Sequence, residues 1–359
     1  MPDARAVAAL VGEAHRLHWA EVLGATVRFT RDLDLAEECA QEAFVRALRS
    51  WPDAVPDNPA AWLTAVARRE AVDRLRRETT LRQKLPLLVV DGPDRDDGAE
   101  VPTDPLRLVF TCCHPALSRD AHLALTLRLV CGLTTEEVAA ALLIPTATAA
   151  ARITRAKKKI ALARIPFHVP GEGELEERLD SVLTVVHVLY SAGHTSRGED
   201  LVRDDLARRA VGLARMLVRL MPDEPEPQGL LALLLLGQAR AATRVDTDGE
   251  LVLLADQDRR LWDRRLIDEG VARATDALRR GTGRFALQAA IAGLHSVASS
   301  WEGTDWPQVM RMYDALMVRW PSPVVALNRA AARSLVPGAD LEAVLGELDA
   351  LATEPALAR

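Results

Sequence analysis

Four cysteines in 359 residues, Cys39, Cys112, Cys113 and Cys131, with no CxxC spacing among them, exclude both a disulfide framework and a zinc ribbon. They read as reduced, half-buried helix residues. Long apolar runs are missing too: the longest, Val138–Ile144 and Leu230–Leu236, span seven residues, far below the ~18 a membrane-crossing helix needs. At the N-terminus Asp3 and Glu13 flank a short apolar stretch that lacks the basic start and length of a signal peptide. A cytoplasmic chain with no membrane association is expected.

The motifs of common enzymes are equally absent: no P-loop, GxGxxG, GxSxG or HExxH occurs. Cys112-Cys113-His114 is no substitute, because neighbours on one helix point about 100° apart and cannot share a metal without ligands from elsewhere. A second cluster, His187 and His194 followed by Glu199 and Asp200, loses its first member to the apolar pattern Val182–Tyr190, where His187 reads as a core residue. No enzyme, cofactor or metal is expected.

Charge is sorted along the chain. The net value of −6 hides a front part, residues 1–170, with 23 Lys+Arg against 22 Asp+Glu, and a back part, 171–359, with 22 against 29. Residues 144–165 hold Arg152, Arg155, Lys157, Lys158, Lys159 and Arg164 without an acid, whereas residues 32–42 hold five acids and no base.

Apolar spacing of i, i+3, i+4 recurs between glycine and proline breaks, and alternating β-branched runs do not, so the class is all-α. Helices are predicted at about 4–30, 33–50 and 58–78, the second opened by Asp32 or Asp34. The expected layout is a domain at 1–80, an acidic proline-containing linker at 81–104, a small domain at 105–165 and a helical extension at 174–359. In the extension, Trp306 and Tyr313 seven apart, followed by Pro321 and Pro323, approximate the start of a tetratricopeptide repeat. An irregular helical bundle is the alternative.

The stretch 133–160 reads as a helix-turn-helix. Thr134 or Thr135 caps a short helix, Ile144-Pro145 turns the chain, and Thr146 or Thr148 caps a second helix. That second helix offers small residues, Ala149–Ala151, then Arg152, Arg155, Lys157, Lys158 and Lys159, with no interleaved Glu to pair them. Such a face suits the major groove and DNA phosphates. Upstream, residues 32–48 turn Ala36, Ala40, Ala43, Phe44, Ala47 and Leu48 inward and Asp34, Glu37, Glu38, Gln41 and Glu42 outward, an acidic stripe suited to a basic protein partner. The next helix buries Leu63, Val66, Ala67 and Leu75 and exposes Arg68, Arg69, Arg74, Arg76 and Arg77 as a backbone-tracking row. Trp62 is either a stacking platform or a core lid.

In this order the segments resemble the extracytoplasmic-function sigma factors of bacterial RNA polymerase, of the sigma-70 family. Asp34-x-Ala-Glu-Glu-x-x-Gln-Glu-x-Phe44 is similar to the core-polymerase-binding region 2.2. Pro59-x-x-Trp-Leu-x-x-x-Ala-Arg-Arg-x-x-x-Asp-x-x-Arg-Arg77 is similar to regions 2.3 and 2.4, which open and read the −10 element, although Arg69 stands where many members carry Asn. Residues 105–165 resemble region 4, which reads the −35 element, with Arg152-Ile-Thr-Arg-Ala-Lys157 on its recognition helix. Asp104–Ser118, Ile165–Pro170, Asp256–Trp262 and Pro321–Arg329 resemble signatures of a subgroup with a C-terminal tetratricopeptide-like extension, whose members continue with further helices.

The resemblance implies core RNA polymerase and promoter DNA as partners, with region 2 at 1–80, region 4 at 105–165 and a fused regulatory extension that docks onto the front part. Rival readings are a helix-turn-helix repressor or activator dimerising through its helical C-terminal half, and a helical scaffold.

Overall fold

The computed structural model describes residues 4–52, 54–82, 104–193, 204–246 and 250–354, so most of the expected linker, and His194, Glu199 and Asp200, lie outside the described residues. The described residues are all-α, apart from one isolated bridge between Val245 and Leu251. No single helix among them is long and apolar enough to cross a membrane. The chain divides into two compact units, Met1–Val188 and Leu189–Arg359.

The front unit begins with three helices, α1 (Ala4–Thr30), α2 (Leu33–Ser50) and α3 (Pro59–Arg82), packed on one another. Arg31, with φ +53°, reverses the chain after α1, and the Asp32 carboxylate accepts from the backbone N–H of Asp34 and Leu35 at 2.8 and 3.0 Å, starting α2. On α2, Ala36, Ala40, Ala43 and Ala47 are fully buried, and their small side chains let α1 and α3 approach closely. Leu48 is a correction: it is exposed, because Ala47 and Trp51 take the inward positions at this helix end. Asn58 caps α3 through its side chain to Ala61 N–H, and Pro59 occupies the first helical position, where no donor is needed.

The second half of the unit contains α4 (Asp104–Cys112), α5 (Arg119–Leu125) continued by a π-helical turn over Thr126–Val130, α6 (Thr135–Ala141) and α7 (Thr146–Ala163), followed by α8 (Glu172–Ala192). Thr134 opens α6 with a capping box, its hydroxyl on Glu137 N–H and the Glu137 carboxylate on its own N–H. Leu143, at φ +54°, carries the turn, and α6 and α7 are bent by 108°, a helix-turn-helix geometry. Pro145, rather than Thr146 or Thr148, is the cap residue of α7, without a side-chain hydrogen bond. Ala149, Ile153, Ala156 and Ile160 form its buried stripe, so Ala149 belongs to the core and not to a groove-facing surface.

All four cysteines are free and fully buried rather than half-buried. Burial pushes the Cys39 thiol up to about 11 and that of Cys113 to about 12, which keeps them protonated and poorly nucleophilic.

The back unit is a succession of helices: α9 (Asp204–Leu220), α10 (Pro225–Gln238), α11 (Arg264–Arg280), α12 (Arg284–Val297), α13 (Trp306–Arg319), α14 (Pro323–Ser334) and α15 (Leu341–Ala352). Each of α11 to α15 packs on its predecessor, α11 reaching α10 after an irregular stretch. The apolar run Leu230–Leu236 is explained by α10, which is enclosed by α9, α11 and α12. Glu226 caps α12 from α10, accepting from Phe285 and Ala286 N–H at 3.0 and 3.1 Å, and Arg215 on α9 holds Glu269 on α11 bidentately at 2.8 and 2.9 Å.

Candidate nucleic-acid interface

The basic helix α7 divides its cations between two directions. Arg155, Lys158 and Lys159 are exposed. Arg152 pairs with Asp120 at the start of α5, at 2.9 Å. Lys157 turns back onto α2, where its ammonium lies 2.7 Å from Asp34 and 2.5 Å from Glu37. The unpaired face expected from the lack of Glu on α7 is therefore corrected: its acids come from other helices. Burial works against the Lys157 charge, but the two carboxylates outweigh it and hold the ammonium above its ordinary value. Thr146 is exposed and Thr148 half-buried at the start of the same helix.

Glu37 is the second correction, since it is only 5% exposed instead of lying on an open stripe. Arg128, from the π-helical turn, contacts its other carboxylate oxygen as an ion pair without hydrogen-bond alignment, while donating to the Leu133 carbonyl at 2.8 Å. One carboxylate of α2 thus holds two cations of the helix-turn-helix module. Asp34, Glu38 and Gln41 remain exposed on α2, and Glu42 is half-buried.

The same two modules meet along α1. The Trp19 indole N–H donates to the Leu129 carbonyl at 3.0 Å, and Arg28 lies 3.8 Å from Asp104. Two glycines make the approach possible. A Cβ at Gly24 would fall 2.7 Å from that of Asp104, and one at Gly132, already at φ +64°, would fall 2.8 Å from the Trp19 ring.

On α3, Arg68, Arg69, Arg76 and Arg77 are exposed, and Arg68 lies over the Phe29 ring at 5.3 Å. Arg74 does not belong to that row. It contacts Glu38 on α2 and Glu70 on α3, and Arg46 joins Glu70 to Glu42, so a chain of alternating charges ties α2 to α3. Trp62 is half-buried with its edge toward Trp51, ring centroids 5.8 Å apart, which makes it a lid on the α2–α3 corner. Sequence reasoning missed Glu70, Arg128 and Asp120. Arg128 carried a signal: it is the lone arginine, lysine or acid between Asp120 and Glu136, and a charge in so apolar a stretch needs a partner.

Residues 16–80 match sigma-70 region 2, residues 107–160 match sigma-70 region 4, and residues 178–278 match a family of unknown function, DUF6596. Uncharacterized protein R00370 of Rhizobium meliloti is 45% identical over 325 residues, covering 88% of this chain and 77% of that protein. ECF RNA polymerase sigma factor SigJ of Mycobacterium tuberculosis is 29% identical over 233 residues, 56% of this chain and 72% of that protein. No solved structure matches significantly. With region 2 and region 4 in the order and places the helices occupy, the chain belongs to the sigma-70 family, as an extracytoplasmic-function-like sigma factor with an additional C-terminal helical part.

Proposed function

We propose that this sigma factor directs core RNA polymerase to a two-part promoter. In this reading α2 meets polymerase through Asp34, Glu37, Glu38, Gln41 and Glu42. α3 reads and opens the −10 element with Trp62, Arg68, Arg69, Arg76 and Arg77, and Arg74 braces α2 against it. α7 reads the −35 element from Thr146 and Thr148 through Arg152, Arg155, Lys157, Lys158 and Lys159. The observation that carries it is the outward set Arg155, Lys158 and Lys159 on the second helix of a helix-turn-helix bent by 108°. The extension from about 174 is read as a tetratricopeptide-like regulatory domain that docks on the front part, on the strength of its opposite charge balance.

The ion pairs of Lys157 add a condition. A carboxylate cannot serve polymerase while it holds the −35 helix, so the described arrangement is read as a resting form whose two modules part when polymerase binds.

Run-off transcription with core polymerase tests the reading. A promoter-specific transcript that depends on the chain is expected, and Arg155→Ala is expected to weaken promoter binding by about 1–3 kcal/mol if Arg155 touches a base. No chain-dependent transcript, or a folded R155A variant with unchanged affinity and salt slope, would contradict it.

A further inference from the structure

The back unit holds a cluster of cations for which sigma-factor function provides no use. Arg240, just after α10, and Arg259 both lie against the Trp262 ring, their guanidinium carbons 5.9 and 4.7 Å from its centroid. Trp262 is fixed in turn, its indole N–H donating to Thr243 at 2.9 Å. Arg244 lies within the electrostatic reach of Arg240. Among the described residues none of these three arginines has an ion-pair partner. The field of Glu302 reaches Arg259 without forming a pair.

Two buried polar atoms in this neighbourhood lack a partner. Arg259 is 8% exposed and donates one nitrogen to the His295 and Ala298 carbonyls at 2.5 and 3.0 Å, at the end of α12, but its Nη2 is buried without a partner. His295 Nδ1 is likewise buried and unpartnered. The helix-end carbonyls account for one nitrogen of Arg259. They account neither for Nη2 nor for Arg240 and Arg244. Arg259 is buried, and Arg240 and Arg244 are half-buried; guanidiniums that repel one another where water is partly excluded are unfavourable, and buried charges are ordinarily paired.

We infer that Arg240, Arg244, Arg259 Nη2 and His295 form a site for a small oxyanion, the phosphate or carboxylate group of a ligand taken up by the C-terminal half. A guanidinium fork binds either group bidentately. Both the oxyanion and the unsatisfied donors then find their partners in one step, and the Asp256–Trp262 motif acquires a role as the wall that presents Arg259 and Trp262.

The test uses the full chain and two probes, inorganic phosphate and acetate, titrated by calorimetry against chloride at matched ionic strength. Saturable binding of at least one probe is expected, weakened tenfold or more by Arg240→Gln; stronger phosphate binding points to a phosphate-bearing ligand and stronger acetate binding to a carboxylate. Phosphate held on the basic α7 would survive R240Q, so equal affinity of variant and parent overturns the site, as does the absence of saturable binding with both probes. If R240Q does not fold, the parent alone decides through the His295 titration followed by NMR. Burial, with Arg240 and Arg259, holds that imidazole down at about 4. An anion placed among the arginines raises it, and an unchanged value with both probes present overturns the inference.

Discussion

Replacing Glu37 with Ala is expected to destabilise the front unit by about 3 kcal/mol, the lower end of what removal of one partner from a buried ion pair costs. The lower end applies because Lys157 keeps Asp34 and Arg128 keeps the Leu133 carbonyl. Urea denaturation followed by circular dichroism measures it. A Glu37→Gln variant should fall between, since an amide still accepts from Lys157 but carries no charge. A loss below about 1 kcal/mol would mean that Glu37 acts as an ordinary surface carboxylate.

Trp19→Ala is expected to cost about 4 kcal/mol, within the range for deleting a buried tryptophan. The ring is 2% exposed, sits against His15 and Phe44 with centroids 4.9 and 6.0 Å away, and crosses to the second module through its indole N–H. Trp19→Phe keeps most of the burial and removes the donor, so its expected cost is about 1 kcal/mol. Equal losses for the two variants would place the energy in the hydrogen bond rather than in packing, contrary to this assignment.

Much of the front unit was legible in the sequence because its signals are local. An aspartate cap at Asp32 or Asp34 and the alanine spacing of α2 act within a few residues, and the start and inward face of α2 followed from them, the structure selecting Asp32. The threonine cap, at Thr134 or Thr135, and the Ile144-Pro145 break placed the helix-turn-helix in the same way, and the structure selects Thr134. What stayed hidden depends on distant segments. Glu37 shares the polar side of α2 with Asp34 and Glu38, and only the arrival of Arg128 and Lys157, about 90 and 120 residues later in the chain, buries it. Arg74 looked like one of five equivalent arginines until α2 placed Glu38 beside it. In the back unit the unpaired state of Arg240 could not be foreseen, because acids at Asp246 and Asp258 lie nearby in sequence and turn elsewhere in space, Asp258 to Arg260 and Asp246 to the Glu250 backbone N–H.

Whether α2 and α7 hold each other through Asp34, Glu37 and Lys157 until polymerase parts them is tested by one distance measurement. Ser50 at the end of α2 and Ala161 near the end of α7 are exposed, and the four native cysteines are buried, so a Ser50→Cys, Ala161→Cys chain takes a donor and an acceptor dye at those positions. High energy transfer is predicted for the free protein, falling when core RNA polymerase is added, with the fall occurring at lower polymerase concentration in an Arg128→Gln background that weakens the hold on Glu37. Polymerase that binds while the transfer stays unchanged, or that does not bind at all, would contradict it.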